Sequence, residues 1–301
     1  MIELRRLQVL RELADHGTVA AAAQALHLTP SAVSQQLAAL GRETGVPLVE
    51  QNGRRLKLTE AAHVLLEHAH LVFAELEQAE ADLAAYAGGR LSTLRIGAFG
   101  SALAGLVAPV ARTLRAADPP VAVHAVEAEE RACFTALAAG ELDIAISVEF
   151  PGAPQPDGPR FHRRPLLTDV LDVALPPDHP LAGRKTVALD RFAGAEWALG
   201  NPGSSCHEVV VAACATVGFT PRPVHHSTDW HAIGALVAAG GVVALVPRLA
   251  RDRMPPPVRL LPVSGTTPAR HVFAATRRGA ERSPTVAEAL RLLEKRASAV
   301  A

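Results

Sequence analysis

From Thr59 onward the chain meets no proline and no glycine until Gly88. So long a stretch without a breaker is predicted to form one helix of about 43 Å at ~1.5 Å per residue. Thr59 supplies an N-cap and Glu60 an acidic first turn, both matched to the free N–H groups and the positive end of the helix dipole. Leu65, Ala69, Val72, Leu76, Ala79, Leu83 and Tyr86 then alternate spacings of four and three, an a/d seam kept over three heptads. Such a seam is predicted to pair two copies of the chain, so residues 59–88 are expected to be a dimerisation helix. An amphipathic helix lying on its own domain is the other arrangement that the pattern allows. The segment holds six acidic residues and no Arg or Lys, against a net charge of +2 for residues 1–58 and +4 for those that follow. The overall balance of 30 basic and 30 acidic residues therefore hides three segments with different surfaces. His63, Glu67 and His70 share an outward face of the helix, but no fourth ligand accompanies them and no metal is expected.

Ahead of this helix, Leu4, Leu7, Leu10 and Leu13 recur at helical spacing until Asp15-His16-Gly17 breaks the pattern. Thr18 caps a second, short helix over residues 19–26, whose alanines permit close crossing. After the turn His27-Leu28-Thr29, a capping hydroxyl followed by proline at the first helical position opens a third helix over residues 30–40. Val33, Leu37 and Leu40 form its buried face, leaving Ser31, Ser34, Gln35 and Gln36 free. Two short helices joined by a tight turn, the second exposing small polar side chains, make a helix-turn-helix. Glutamine can bond bidentately to adenine and serine to several base edges, so the third helix suits a major groove. Residues 46–58 alternate about Asn52-Gly53, a hairpin signal, with Arg54, Arg55 and Lys57 at the tip for phosphates or a minor groove.

The run His27-Leu28-Thr29-Pro30-Ser31-Ala32-Val33-Ser34-Gln35-Gln36-Leu37, with Gly45-Val46-Pro47-Leu48 and Leu58-Thr59-Glu60-Ala61, resembles the LysR-type transcriptional regulators. The resemblance implies that Thr29, Pro30, Ser31, Ser34 and Gln35 are recognition-helix contacts, Arg54 and Arg55 wing contacts, and Thr59 a phosphate-contacting helix start. It also implies a cytoplasmic regulator that binds double-stranded DNA at an inverted-repeat operator, as a homodimer paired again into a homotetramer. Gly41, Val49, Gln51 and Ala62 depart from the family's usual Glu, Phe, Arg and Gly. Glycine within a helix costs about 1 kcal/mol relative to alanine, and Gln51 removes one wing cation.

With 301 residues, the chain has room for two or three domains at ~100 to 200 residues each. Its 49% hydrophobic and 20% charged residues are those of an ordinary soluble globular protein. After Gly88-Gly89, strands are predicted at residues 94–97, 121–126 and 142–147, with helices from Ser101 to about Ala117 and over 131–139. This βαβαβ order demands a parallel sheet with crossover helices. A loop over residues 151–164 leads to a second such unit, with strands at 170–175, 197–199, 223–226 and 242–246 and helices at 205–217 and 230–239. The chain returns through a strand at 270–275 and a final helix at 283–297. Two lobes joined by two crossovers enclose a cleft where strand carboxyl ends and helix amino ends converge. Residues 137–143 and 236–247 are similar to the LysR effector domain, itself like type 2 periplasmic binding proteins.

The expected fold class is thus α+β multidomain. It comprises a winged helix-turn-helix (1–58), a linker helix (59–88) and an α/β two-lobed type 2 periplasmic-binding-protein-like domain (90–301). Lobe I is expected at about 90–163 and 268–301, and lobe II at about 164–267.

In the cleft, Ser101 and Ser204-Ser205 each open a helix, where free N–H groups and the dipole favour a carboxylate or phosphate. Glu127, Glu129 and Glu130 follow the second strand and Asp229 opens another helix, so carboxylates line it too. Ser147 and Asn201 complete the expected effector contacts, and the family resemblance implies a contact at Ser101. Opposed donors and carboxylates suit a small effector such as an amino acid or another small carboxylate.

No Gly-x-Ser-x-Gly, phosphate loop, Gly-x-Gly-x-x-Gly or His-Glu-x-x-His occurs, so neither an enzyme nor a cofactor is expected. Three cysteines are too few and too odd in number for a disulfide framework, which fits a reducing cytoplasm. Cys206 lies near a helix start, which can lower a thiol pKa, and Cys214 is eight residues on. Peroxide-sensing members of the family use a cysteine pair in this region, so redox sensing is a second reading. Against it, eight helical residues span ~12 Å, whereas a disulfide needs ~4.4 to 6.8 Å between Cα atoms. The amino terminus lacks an apolar signal core, and the longest apolar run, residues 233–247, is shorter than the ~20 residues of a membrane span. Neither export nor a membrane segment is expected. A solute-binding protein with an added helical domain is the alternative of a different class; the missing signal core and the intact recognition helix oppose it.

Overall fold

The computed structural model describes residues 2–52, 55–88, 92–150, 153–156, 158 and 160–300. They form two compact units: Met1–Gly88 with Asp157–His162 and Arg277–Ala280, and Gly89–Pro156 with Arg163–Thr276 and Glu281–Ala301. The two short segments that join the first unit pair with each other, the Arg278 N–H donating to Arg160 O at 3.0 Å.

The first unit contains α1 (Leu4–His16), α2 (Val19–Ala25), α3 (Pro30–Thr44), the hairpin β1 (Val49–Asn52) and β2 (Arg55–Leu58), and α4 (Glu60–Gly88). Gly17, at φ 70°, ends α1, because the left-handed turn that returns its N–H to Leu13 O suits a residue without a Cβ. Thr18 Oγ1 accepts from the Ala21 N–H and Thr29 Oγ1 from the Ala32 N–H, each at 3.2 Å, so both predicted caps satisfy otherwise free donors.

Two expectations for this unit need correction. The third helix runs four residues beyond Leu40 and stops only at Gly45, at φ 72°. Its core face ends at Leu40, but Gly41 is tolerated in the helix and Thr44 Oγ1 donates to Leu40 O at 3.0 Å. On α1, which spans the four predicted leucines, Leu7, Leu10 and Leu13 are buried with Val9, and Leu4 is exposed at the helix start. The seam of α4 is divided: Ala69 is buried with Ala62 and Leu66 in the core made by α1, α2 and α3, and Leu65 packs on that core. Beyond this point Val72, Leu76, Ala79 and Leu83 are exposed. The side chain of Tyr86 lies outside the described residues.

The second unit begins with β3 (Ser92–Ala98), α5 (Gly100–Ala102), a π-turn at Leu103–Val107, α6 (Ala108–Arg115), β4 (Val121–Glu127), α7 (Glu130–Ala138) and β5 (Ile144–Val148). A long strand, β6 (Phe161–Leu175), crosses to a second lobe of β7 (Val187–Ala188), β8 (Glu196–Leu199), α8 (Ser205–Thr216), β9 (Arg222–His226), α9 (Trp230–Ala238), β10 (Val242–Pro247), β11 (Arg259–Leu261) and β12 (Val263–Ser264). β13 (Ala269–Arg277) crosses back, and α10 (Pro284–Val300) completes the first lobe. The main sheet has the order β4-β3-β5-β13-β6-β10-β8-β9, with β11 paired to β6. Within each lobe the βαβ neighbours are parallel, β3 with β4 and β5, and β8 with β9 and β10. The crossovers are antiparallel to their neighbours, β13 to β5 and β6 to β10.

Residues 161–164, expected in a loop, are the start of β6. The charged run His162-Arg163-Arg164 conceals the strand, because the Arg163 side chain is covered by chemistry that alternation does not register. Its guanidinium stacks 3.5 Å from the Phe273 ring centroid and pairs with Glu149. Among the described residues, no helix is long and apolar enough to cross a membrane.

Candidate functional site

Two surfaces concentrate the residues singled out in the sequence. On the first unit, the buried face of α3 (Val33, Leu37, Leu40) fixes the helix rotation and turns Ser31, Ser34 and Gln35 to the solvent, with Thr29 and Pro30 exposed at its start. Ser34 Oγ donates to Pro30 O at 3.0 Å. Gln36 is not free, because its Oε1 accepts from Arg6 Nε at 3.2 Å. The longer helix adds Arg42, exposed and at the spacing that continues the Ser31–Gln35 face, a cation that ending the helix at Leu40 left unassigned. Lys57 is exposed on β2; the side chain of Arg55 and all of Arg54 lie outside the described residues. Thr59 Oγ1 accepts from the Ala62 N–H at 3.2 Å and donates to Pro47 O at 2.8 Å, which fastens the start of α4 to the chain leading into the hairpin.

On the second unit, a cavity of about 270 Å³ opens between the lobes. One side carries Phe99, Gly100, Glu127, Glu129 and Glu130, the other Gly200, Ser204, Ser205, Cys206, Ser227, Thr228 and Trp230, with Arg270 also on the wall. A second cavity of about 260 Å³ shares Glu129, Glu130, Ser204 and Ser205 and adds Asn201.

Several of the expected contacts are engaged within the chain. Ser101, buried, accepts from Arg270 Nη2 at 2.8 Å. Ser204 Oγ accepts from the His207 N–H at 3.3 Å and donates to Asn201 O at 2.7 Å. Ser205 Oγ donates to Glu130 Oε1, a contact that joins one lobe to the other. Asp229 caps α9 by accepting from the His231 N–H at 2.8 Å; its neighbours Thr228 and Trp230, but not Asp229, line the cavity. Ser147 is fully buried in β5, its hydroxyl donating to Val148 O at 3.3 Å, and lines neither cavity.

Sequence reasoning did not assign Arg270 or Trp230 to the cleft. Arg270 Nε and Nη2 donate to Asp169 Oδ2 at 3.0 and 2.8 Å, and Asp169 Oδ1 accepts from the Leu249 N–H at 3.0 Å. The guanidinium also lies over the Phe99 ring, 4.5 Å from its centroid. Both crossover strands therefore meet in one buried ion pair at the cleft, with the Arg270 and Asp169 side chains 4% and 1% exposed. Burial, with Glu130 and Glu127 nearby, holds the Glu129 carboxyl above the ordinary range.

Helix-start placement does not lower the Cys206 thiol. Burial raises it, and the nearby Arg270 charge offsets this only in part. Cys214, in the core of the second lobe, is pushed up to about 12 and Cys133 to about 11, both by burial first. All three cysteines are unpaired. Among the described residues, no group of three or more His, Cys, Asp or Glu side chains is placed to hold a metal.

Residues 4–63 match the family model for the bacterial regulatory helix-turn-helix protein, lysR family, and residues 87–298 that for the LysR substrate binding domain. The chain belongs to the LysR family of transcriptional regulators. A hydrogen peroxide-inducible genes activator of Dickeya chrysanthemi is 27% identical over 281 residues, covering 92% of this chain and 90% of that one. A full-length OxyR variant from Pseudomonas aeruginosa shares the fold with a TM-score of 0.61 at 22% identity, over 97% of this chain and 95% of its own. Full-length CbnR, determined in complex with its target DNA, gives a TM-score of 0.58 at 23% identity over the whole of both chains. This LysR-family regulator therefore joins a helix-turn-helix to a two-lobed substrate-binding domain.

Proposed function

We propose that this LysR-family chain is a cytoplasmic transcriptional regulator whose binding to an inverted-repeat operator is modulated by a small molecule in the interlobe cleft. The proposed division is a winged helix-turn-helix over 1–58, a linker helix over 59–88 and an effector domain over 90–301. The observation that carries the reading is the presentation of α3: a threonine cap and an apolar face hold it, while Ser31 and Gln35 stand exposed on one side. Serine and glutamine on a rigid exposed helix are suited to base edges in a major groove, with Lys57 of the hairpin left for phosphate. Val72, Leu76, Ala79 and Leu83, uncovered in the single chain, are assigned to pairing with a second copy, and two such pairs to a tetramer. The cleft takes no catalytic role in this reading. Its occupant changes how the two lobes close and, through them, the spacing of the reading heads.

The test is fluorescence anisotropy of the full chain on a duplex from its own upstream region, against a shuffled duplex of equal length, across a salt series. Specific binding that weakens steeply with salt and is lost on Gln35→Ala supports the reading. Equal affinity for both duplexes removes the specific-operator part of it.

A further inference from the structure

Among its described lining residues the interlobe cavity is acidic on one side, and Arg131 joins Glu129 and Glu130 in the lining of the adjoining cavity. Glu127, Glu129 and Glu130 stand on the wall of the interlobe cavity, whereas Arg270, the sole Arg or Lys among its described lining residues, is neutralised by Asp169. Several of the side chains that would draw an anion are engaged within the chain. The helix start at Gly100 is faced by Glu127, whose Oε1 lies 2.8 Å from where a Cβ on Gly100 would stand. Ser101 accepts from Arg270, Ser204 accepts from the His207 N–H at the start of α8, and Ser205 donates to Glu130. Trp230 adds an aromatic surface, favourable for an alkyl body or for a cation. Arg270, more than nine-tenths buried, uses Nε and Nη2 on Asp169 and Ser101, and its Nη1 makes no hydrogen bond among the described residues.

We infer that the effector is a small molecule of net positive charge, its ammonium or guanidinium group among Glu127, Glu129 and Glu130 and an acceptor atom of its body on Arg270. This rests on the proposed reading of the cleft as the effector site. It differs from the expectation of an anionic subsite at the serine-bearing helix starts, because Glu127 faces the start at Gly100 and Glu130 accepts from Ser205 at the start of α8.

Cys206 lines the cavity and reports its electrostatics without knowledge of the effector, since Cys133 and Cys214 are both fully buried. The probes are two methanethiosulfonates of similar size, one bearing a trimethylammonium group and one a sulfonate. In either case the Cys206 thiolate attacks the sulfenyl sulfur, a protein–reagent disulfide forms and methanesulfinate leaves with the bonding pair. The raised thiol pKa slows both reagents alike and cancels in their rate ratio. Rates are read by intact mass on the full chain, with Cys206→Ser to verify the site, and are normalised to the same ratio for a free small thiol.

Clefts of one charge sign raise counter-ion on-rates by about 10- to 1000-fold. The expected cation-to-anion ratio is therefore at least about tenfold above that of the free thiol, falling toward it in Glu127→Gln/Glu129→Gln. A ratio at or below the free-thiol value, a ratio unchanged in the double variant, or no reaction with either reagent overturns the inference. Operator affinity of the labelled protein separates the two readings. A change in affinity with either label upholds the cleft as the regulatory site even where the charge preference fails. An unchanged affinity beside a high ratio faults the regulatory reading and leaves the charge preference standing.

Discussion

Replacing Asp169 by alanine removes the one anion that, among the described residues, is bonded to a guanidinium 4% exposed, and also leaves the Leu249 N–H without its acceptor. Breaking one side of a buried ion pair costs about 3 to 5 kcal/mol, because the remaining charge has lost its counter-charge without regaining water. For a domain of this size about 1 kcal/mol corresponds to ~2 to 4 °C in Tm, so the variant is expected to melt about 6 to 20 °C below the parent chain. The assay is thermal or urea unfolding followed by tryptophan fluorescence. The two tryptophans, Trp197 and Trp230, both lie in the two-lobed unit, so the signal follows that unit alone. The control is Asp169→Leu/Arg270→Met, which removes both charges and fills their space with apolar atoms. It is expected to recover most of the loss, as buried pairs replaced whole by apolar side chains often do. A single variant within about 1 kcal/mol of the parent, or a double variant no more stable than the single, would refute the assignment of this pair as the charge-balanced junction of the two crossovers.

Thr29→Ala removes the oxygen that caps α3 and is expected to cost about 1 kcal/mol in urea unfolding followed by far-ultraviolet circular dichroism, with weaker operator binding. Leu76→Glu/Leu83→Glu places charges on the exposed part of the seam and is expected to convert a dimer to a monomer by light scattering, with helix content kept. Because burial and the neighbouring carboxylates raise the Glu129 carboxyl, its negative charge is added later than that of an ordinary carboxylate as pH rises; the normalised cation preference at Cys206 is expected to climb with pH beyond the ordinary carboxylate range, and a flat profile counts against it. Peroxide treatment is expected to leave no Cys206–Cys214 disulfide by mass spectrometry, since both thiols are raised by burial and share one helix.

The reading head was legible because its signals are local. Thr18, Thr29 and Pro30 set helix starts within a few residues of the side chains they organise, and each acts as its chemistry dictates. The end of α3 was less so, since a core pattern stops at the last buried residue while a helix stops at its cap. In the cleft, strand-to-helix junctions placed Glu127, Glu130, Ser204 and Ser205 on the cavity wall by topology alone. Ser147 shows the limit of that argument: β5 is buried throughout, so alternation gives no sign of which face a residue takes. Arg270 was hidden for another reason. It stands as a charged residue near the start of a strand, and the carboxylate that makes its burial tolerable is 101 residues away in sequence.

The double use of Thr59, on the Ala62 N–H and on Pro47 O, together with the burial of Ala62, Leu66 and Ala69, makes α4 a stiff extension of the reading head. Two chains paired along α4 would hold their recognition helices at a set distance and a set angle. A single base pair inserted between operator half-sites turns one by about 34° around the duplex axis relative to the other. A freely jointed head would follow that turn. This one would have to bend a helix or unpack a core to do so, and operators should therefore tolerate insertions of a whole helical turn better than insertions of half of one.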